Sequence, residues 1–493
     1  MKHRRPSRLH MLGAAVLLAV AAALFLPEPS PAVPVPAGAQ PFIWDQDALW
    51  QTLEARFNEA RRLGCDASTG ALETALAALA DDITWLEAGR HAPQDPRFDQ
   101  LEARLFQTAP LIGACPDRLA ALVGLVSRIR ATLKIQSRHW DIGDATARDR
   151  VYRLLYGSRT AIEELVLQGN GDGLPALVPG TEEPSATPAA YVGKLKVHSG
   201  DILVSRGGAP TSALIARGND YPGNFSHIAL LHVDEDGTVR VIEAHIEVGV
   251  VVSTLETYLE DKKLRIMVLR LDHTLDALRA DPLLPHRAAT VALTEVQSRH
   301  IPYDFAMRYE DPTEKFCSEV ASSPYGELGV PLWESLTSMS SRGVTSWLSR
   351  LGVEQFVTHG PSDLEYDPKV VVVAEWRDPA TLFDDHVDNA VIDAMLEGAE
   401  RGDELAYDYR YLPLARLAKV YSVMLNLLGR TGPIPEGMSA TRALRAQWLE
   451  GRHQAVRAGT LQRVQVFEDE RGYRPPYWAL VAMAREALSE VSE

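Results

Sequence analysis

Cys317 lies in Lys315-Phe316-Cys317-Ser318-Glu319-Val320, and His227 lies in Phe225-Ser226-His227-Ile228-Ala229-Leu230, 90 positions earlier. A thiolate is a strong nucleophile and an imidazole can take its proton, so the two residue types together point to covalent catalysis at a carbonyl. Asp311-Pro312-Thr313-Glu314 supplies helix-start residues. They place Cys317 in or near the first turn of a helix running toward Ala321 and ending around Pro324. An ordinary thiol titrates near ~8.5, and a helix N-terminus or an imidazolium can lower that to ~3.5–7.5, so an activated thiolate is expected.

The third group is expected from a hairpin. Ile228 to Val233 and Val239 to Ala244 read as strands joined by Asp234-Glu235-Asp236-Gly237. With a three-residue loop and Gly237 in the left-handed conformation, odd-numbered positions on both strands share one face, which makes His227 and Glu243 diagonal neighbours. Glu243 can then orient the ring and stabilise its cation. His245 falls on the same face and is a rival for that role. Asp201 reads as a turn or cap residue, and Tyr303-Asp304 as an anchor of the cleft floor. His232, His245 and His359 show no metal-ligand spacing, so neither a metal nor a cofactor is expected. No Gly-x-Ser-x-Gly elbow suggests a serine hydrolase.

Residues 40–170 are rich in Ala, Leu, Glu and Arg with helical spacing, as in Trp50, Leu53, Phe57 and Ala60, and read as a helical domain. Gly169-Asn170-Gly171-Asp172-Gly173 opens a turn-rich linker over 171–190. Short β-rich runs follow from about Leu195, then a helix from about Pro285 to His300, with Val370 to Trp376 a further candidate strand. These belong to an α+β catalytic domain over 191–384. Residues 385–493 read as a helical C-terminal region. Its apolar stretch from Leu412 to Leu428 is broken by Arg416 and Lys419, so a packed helix is expected there rather than a membrane span.

The chain begins with Lys2, Arg4, Arg5 and Arg8, then an uncharged run from Met11 to Leu26, then a Pro/Ala-rich segment ending in Ala37-Gly38-Ala39. This pattern predicts an export signal over 1–39, cleaved near Ala39 or retained as a membrane anchor, since the run of 16 residues is longer than many signal cores yet short of the ~20 of a spanning helix. The protein is therefore expected in the periplasm or another extracytoplasmic space. There Cys65 and Cys115 would pair in a disulfide, closing a loop worth ~4 kcal/mol and leaving Cys317 free. The formal charge is −16, and with the leader contributing +3 the remaining chain sits near −19. Nucleic-acid binding is not expected from such a surface.

Gly200-Asp201-Ile202-Leu203, Phe225-Ser226-His227-Ile228-Ala229, Val241-Ile242-Glu243-Ala244, Tyr303-Asp304 and Phe316-Cys317-Ser318-Glu319, in that order, resemble the circularly permuted NlpC-type papain-like hydrolases of the YiiX/YaeF group. The histidine precedes the nucleophile, as the permutation requires. The resemblance covers roughly 190–330 and extends toward 380. It implies an antiparallel sheet with a nucleophile-bearing helix, flanked here by helical regions, and a triad in which Cys317 attacks, His227 shuttles the proton and Glu243 holds His227. The expected activity is cleavage of amide bonds, peptide or isopeptide, in the cell envelope through an acyl-thioester. Two alternatives are a lipid acyl hydrolase or acyltransferase resembling lecithin:retinol acyltransferase, with a long apolar cleft beside Cys317, and a helical scaffold around a vestigial core. The partners expected are an envelope peptide or lipid-like small substrate, with possible membrane association through residues 11–26.

Overall fold

The computed structural model describes residues 24–26, 28, 34–169 and 175–492. The Met11 to Leu26 run, up to residue 23, and the turn at 170–174 lie outside them. From residue 47 to the sheet the described residues form α1 (Asp47–Leu63), α2 (Cys65–Glu87), α3 (Arg97–Ala114), α4 (Leu119–Ser137) and α5 (Ala145–Gln168). Their apolar positions meet in one core, with Leu79, Ile83, Phe98, Leu122 and Leu154 wholly buried. The disulfide Cys65–Cys115 joins the start of α2 to the end of α3.

The strands are β1 (Leu177–Pro179), β2 (Ala189–Val192), β3 (Leu195–His198), β4 (Ile202–Gly207), β5 (His227–Val233), β6 (Val239–His245), β7 (Gly249–Thr254), β8 (Lys263–Leu271), β9 (Thr337–Ser338), β10 (Val357–Thr358) and β11 (Val370–Trp376). Seven form one sheet in the order β1-β11-β8-β4-β5-β6-β7, antiparallel throughout. The first of these, β1, falls within the stretch read as linker. It pairs with β11, so its ladder comes from a strand almost 200 residues away, which local composition does not reveal.

Between and after the strands come α6 (Pro210–Arg217), α7 (Leu255–Glu260), α8 (Asp276–Ala280), α9 (Leu284–Ser298), α10 (Glu319–Glu327), α11 (Arg342–Leu351) and α12 (Pro379–Glu400). The boundary expected at 384 falls inside α12. One face of the sheet buries Ile202, Val204, Ile228, Leu230 and Ile242 against α9 and α10. The opposite face buries Leu203, Ala229, Leu231 and Val241 with Tyr258. Pro324, expected to end the nucleophile helix, lies inside α10, which continues to Glu327. The early helices are tied to the sheet domain by buried ion pairs: Arg159 grips Glu365 through two bonds of 2.8 and 2.9 Å, Arg265 reaches Glu163 at 2.6 Å and Arg148 reaches Asp363 at 2.6 Å. Removing one partner of such a pair strands a charge in the interior, which costs roughly 3–5 kcal/mol.

The chain ends in α13 (Leu412–Leu427), α14 (Ala440–Arg471) and α15 (Tyr477–Ser492). Within α13 only Leu412, Ala415 and Ser422 are buried. The packed helix expected there does form, with Leu412, Ala415 and Ala418 against Ile434, Ala440 and Leu444, but its larger apolar side chains face outward. Lys419 Nζ donates to the Pro435 carbonyl at 2.8 Å.

Candidate active site

The hairpin β5–β6 sets the first half of the site. Asp234 N–H donates to Thr238 O and Gly237 N–H to Asp234 O, leaving a three-residue loop in which Gly237 has φ +85°. A side chain at that φ is strained, which is why glycine suits the turn. The register pairs Ala229 with Glu243. Glu243 therefore lies diagonal to His227, and His245 faces His227, with ring centroids 5.8 Å apart. Glu243 Oε2 is 3.0 Å from His227 Nε2, and its Oε1 is 3.2 Å from His245 Nε2. His245, the rival for the role of Glu243, bonds Glu243 itself, while Glu243 is the group that bonds His227. The two histidines share one carboxylate, an oxygen each.

Glu243 is buried, at 1% exposure. Burial pushes its carboxyl up, but the hydrogen bonds from His227 and His245 and their charge outweigh this and hold it well below the usual range. An ionised carboxylate only accepts, so the neutral His227 ring carries its proton on Nε2 and keeps a lone pair on Nδ1. Among the described residues no protein hydrogen bond occupies Nδ1. Burial lowers the His227 pKa, against the pull of Glu243, so the ring is neutral at neutral pH. His245 is raised, chiefly by its hydrogen bond to Glu243.

The second half of the site comes from the turn before α10. Cys317 Sγ lies 3.9 Å from the Ser226 carbonyl oxygen, and the Ile228 N–H also faces it. The thiol is therefore packed against the peptide units on both sides of His227, while Sγ and the imidazole are not hydrogen-bonded to each other. Glu319 reaches back to accept the Phe316 N–H at 2.9 Å, which holds the backbone turn carrying Cys317. Its carboxyl is pushed up to about 8 by burial. Although Glu319 stands in the same motif as Cys317, sequence reasoning assigned it no part. A glutamate three residues after an apolar residue at a helix start was the available signal.

Cys317 departs from one expectation. Its thiol is pushed up to about 11 by burial, with the Ile228 and Ser318 groups pulling the other way. Three features explain the sign. The side chain is 4% exposed, the regular helix begins two residues later at Glu319, and the neutral His227 supplies no cation. Desolvation then outweighs a short helix's dipole. The resting pair is a neutral thiol and a neutral imidazole.

The remaining candidates hold the frame. Asp201 receives two bonds from Arg270 at 2.7 and 2.8 Å and accepts the His198 N–H, which makes it a cap and ion-pair residue. Asp304 accepts the N–H groups of Ala306 and Arg308, closing the loop after Tyr303. Tyr303 titrates well above its ordinary range through burial and then the neighbouring Cys317. The same loop is pinned by Lys315 N–H donating to Pro302 O at 3.0 Å. His359 stacks on Trp333 and is pulled down to about 4 by burial. Glu183, Asp272 and His273 come within 4.8 Å of one another, but Glu183 Oε1 already accepts from His273 N and faces Nδ1 at 2.6 Å. A cavity of about 910 Å³ is lined by Trp44, Trp50, Tyr156, Arg217, His386 and Trp478 among others, and Cys317, His227 and Glu243 are not part of its wall.

No curated protein and no solved structure matches the chain. Residues 196–373 match the family described as permuted papain-like amidase enzyme, YaeF/YiiX, C92 family. The match spans less than half of the chain, includes Cys317, His227, Glu243 and Glu319, and leaves both flanking helical regions outside. The segment 196–373 is thereby identified as a domain of the permuted papain-like amidase family, and the protein as a thiol-dependent hydrolase of the amidase class.

Proposed function

We propose that the protein cleaves amide bonds of cell-envelope peptides through a Cys317–His227–Glu243 triad. The observation that carries this reading is the shared geometry of β5: Glu243 orients His227 through Nε2, while Cys317 Sγ rests against the peptide units flanking the same residue. The relay requires Sγ to approach Nδ1. Sγ then attacks the carbonyl carbon as its proton passes to Nδ1, and the C–N bond breaks as that proton moves to the leaving amine. Water, deprotonated by His227, resolves the thioester to a carboxylic acid and restores the thiol. Glu243 stabilises the imidazolium in both halves. The extracytoplasmic setting is supported by the basic and apolar start of the chain and by the Cys65–Cys115 disulfide.

The test is to incubate the protein with peptide and isopeptide amides and seek the acyl adduct by mass spectrometry. Adducts on the Cys317 peptide, absent in Cys317→Ala and slowed in His227→Ala, are expected. Undiminished turnover by Cys317→Ala would remove the triad, and the absence of turnover and of any adduct in the unsubstituted protein would favour the scaffold alternative. Acyl transfer from lipids with no turnover of amides would favour the acyltransferase alternative.

A further inference from the structure

The outward face of α13 is a continuous apolar stripe. Leu414, Leu417, Tyr421 and Met424 recur at helical spacing, with Val420, Val423 and Leu427 beside them, and all are exposed, Leu414 by 65% and Leu427 by 82%. Tyr409 and Tyr411, just ahead of the helix, are exposed as well. An amphipathic helix ordinarily turns this side inward. A contiguous exposed patch of this kind marks an interaction surface.

Two further observations say what covers it. The first is where the N-terminal apolar run leaves the folded body. Arg416 of α13 donates to the carbonyl of Leu26, the last residue of that run. Glu28 accepts from Ser439 Oγ at 2.7 Å and meets the Thr441 N–H at the start of α14. Phe25 and Leu26 are themselves exposed beside the helix. The second is charge. Residues 408–430 carry Arg410, Arg416, Lys419 and Arg430 against Asp408 alone, a local +3 in a chain of −16.

We infer that α13 is an interfacial helix that lies in the surface of an anionic phospholipid bilayer, with the exposed Phe25 and Leu26 beside it. The helix does not cross: no described helix is long and apolar enough, and α13 carries Arg416 and Lys419. Its leucines, valines and methionine enter the acyl boundary, its tyrosines sit at headgroup level, and the exposed Arg410 and Arg430 at its two ends meet lipid phosphates. This surface is independent of the triad reading, and it would hold the hydrolase domain at a fixed distance from the membrane.

The test uses the full chain carrying Cys317→Ser and Val420→Cys, labelled at residue 420 with an environment-sensitive fluorophore. Vesicles are phosphatidylcholine with phosphatidylglycerol, containing lipids spin-labelled near the headgroup. The expected result is a blue shift, a severalfold rise in emission and quenching by the spin label, all weaker with phosphatidylcholine alone and in Leu414→Ser/Leu417→Ser/Met424→Ser. Three results would overturn the inference. The protein could sediment with vesicles while the probe stays unshifted, so that the N-terminal run alone holds it. The probe could be blue-shifted in dilute solution before lipid is added, as when residues 1–23 cover the face. The shift could depend on protein concentration without lipid, as when a second copy covers it.

Discussion

Replacing Glu243 by Gln keeps the size of the side chain and removes its charge. In the resting site little else changes, because the amide oxygen can still accept from one histidine. The loss appears when His227 becomes a cation. With the charges about 4 Å apart and an effective dielectric of about 20, the imidazolium–carboxylate attraction is ~4 kcal/mol. The remaining neutral hydrogen bond recovers part of this, leaving a net ~2–3 kcal/mol, or ~30- to 150-fold in rate. The pH profile moves in a defined direction. Glu243 raises the His227 pKa against burial, so its neutralisation lets that pKa fall further. Attack needs the neutral ring, so the acid limb shifts to lower pH in Glu243→Gln. The assay is the burst of p-nitrophenolate from p-nitrophenyl acetate across pH, with the thioester located on Cys317 by mass spectrometry. A folded variant that acylates at the wild-type rate, with an unmoved acid limb, would refute the triad role and leave Glu243 as a structural partner of two histidines.

Three other outcomes follow from the same geometry. Because the Cys317 thiol is pushed up to about 11, its alkylation by iodoacetamide without substrate should be slow at neutral pH and rise about tenfold per pH unit toward that value; a plateau near neutrality, read by mass spectrometry, would contradict the burial argument. Glu319 has a folded pKa of about 8, above the ~4.3 of an unfolded glutamate, so the folded state holds the extra proton and stability falls as pH rises between the two. Urea midpoints at both ends of that window should diverge less in Glu319→Gln than in wild type, and equal slopes would show that the buried carboxyl does not titrate there. Opening the disulfide by Cys65→Ser with Cys115→Ser should cost about 4 kcal/mol for a 50-residue separation, measured as a lower urea midpoint, and an unchanged midpoint would mean the unfolded chain gains no freedom.

The amino-acid sequence by itself determined the parts of this protein that depend on local pattern. Short β-rich runs placed β5 and β6, Gly237 placed their turn, and the period of two then put His227, Glu243 and His245 on one face. Helical spacing marked the early helices, and the leftover cysteine singled out Cys317. The rest required the tertiary structure, because it depends on distance and solvent. Strand β1 takes its identity from β11 far along the chain. Desolvation, which no spacing records, turned the expected low thiol pKa into a high one. The sharing of Glu243 between two histidines needed the actual register, where the common face alone had left His245 a rival of Glu243. The apolar residues of α13 were plain in the sequence, but which way they face was decided by the body it packs against. Periodicity fixes which side chains lie together on a helix and says nothing about whether that side meets protein or solvent.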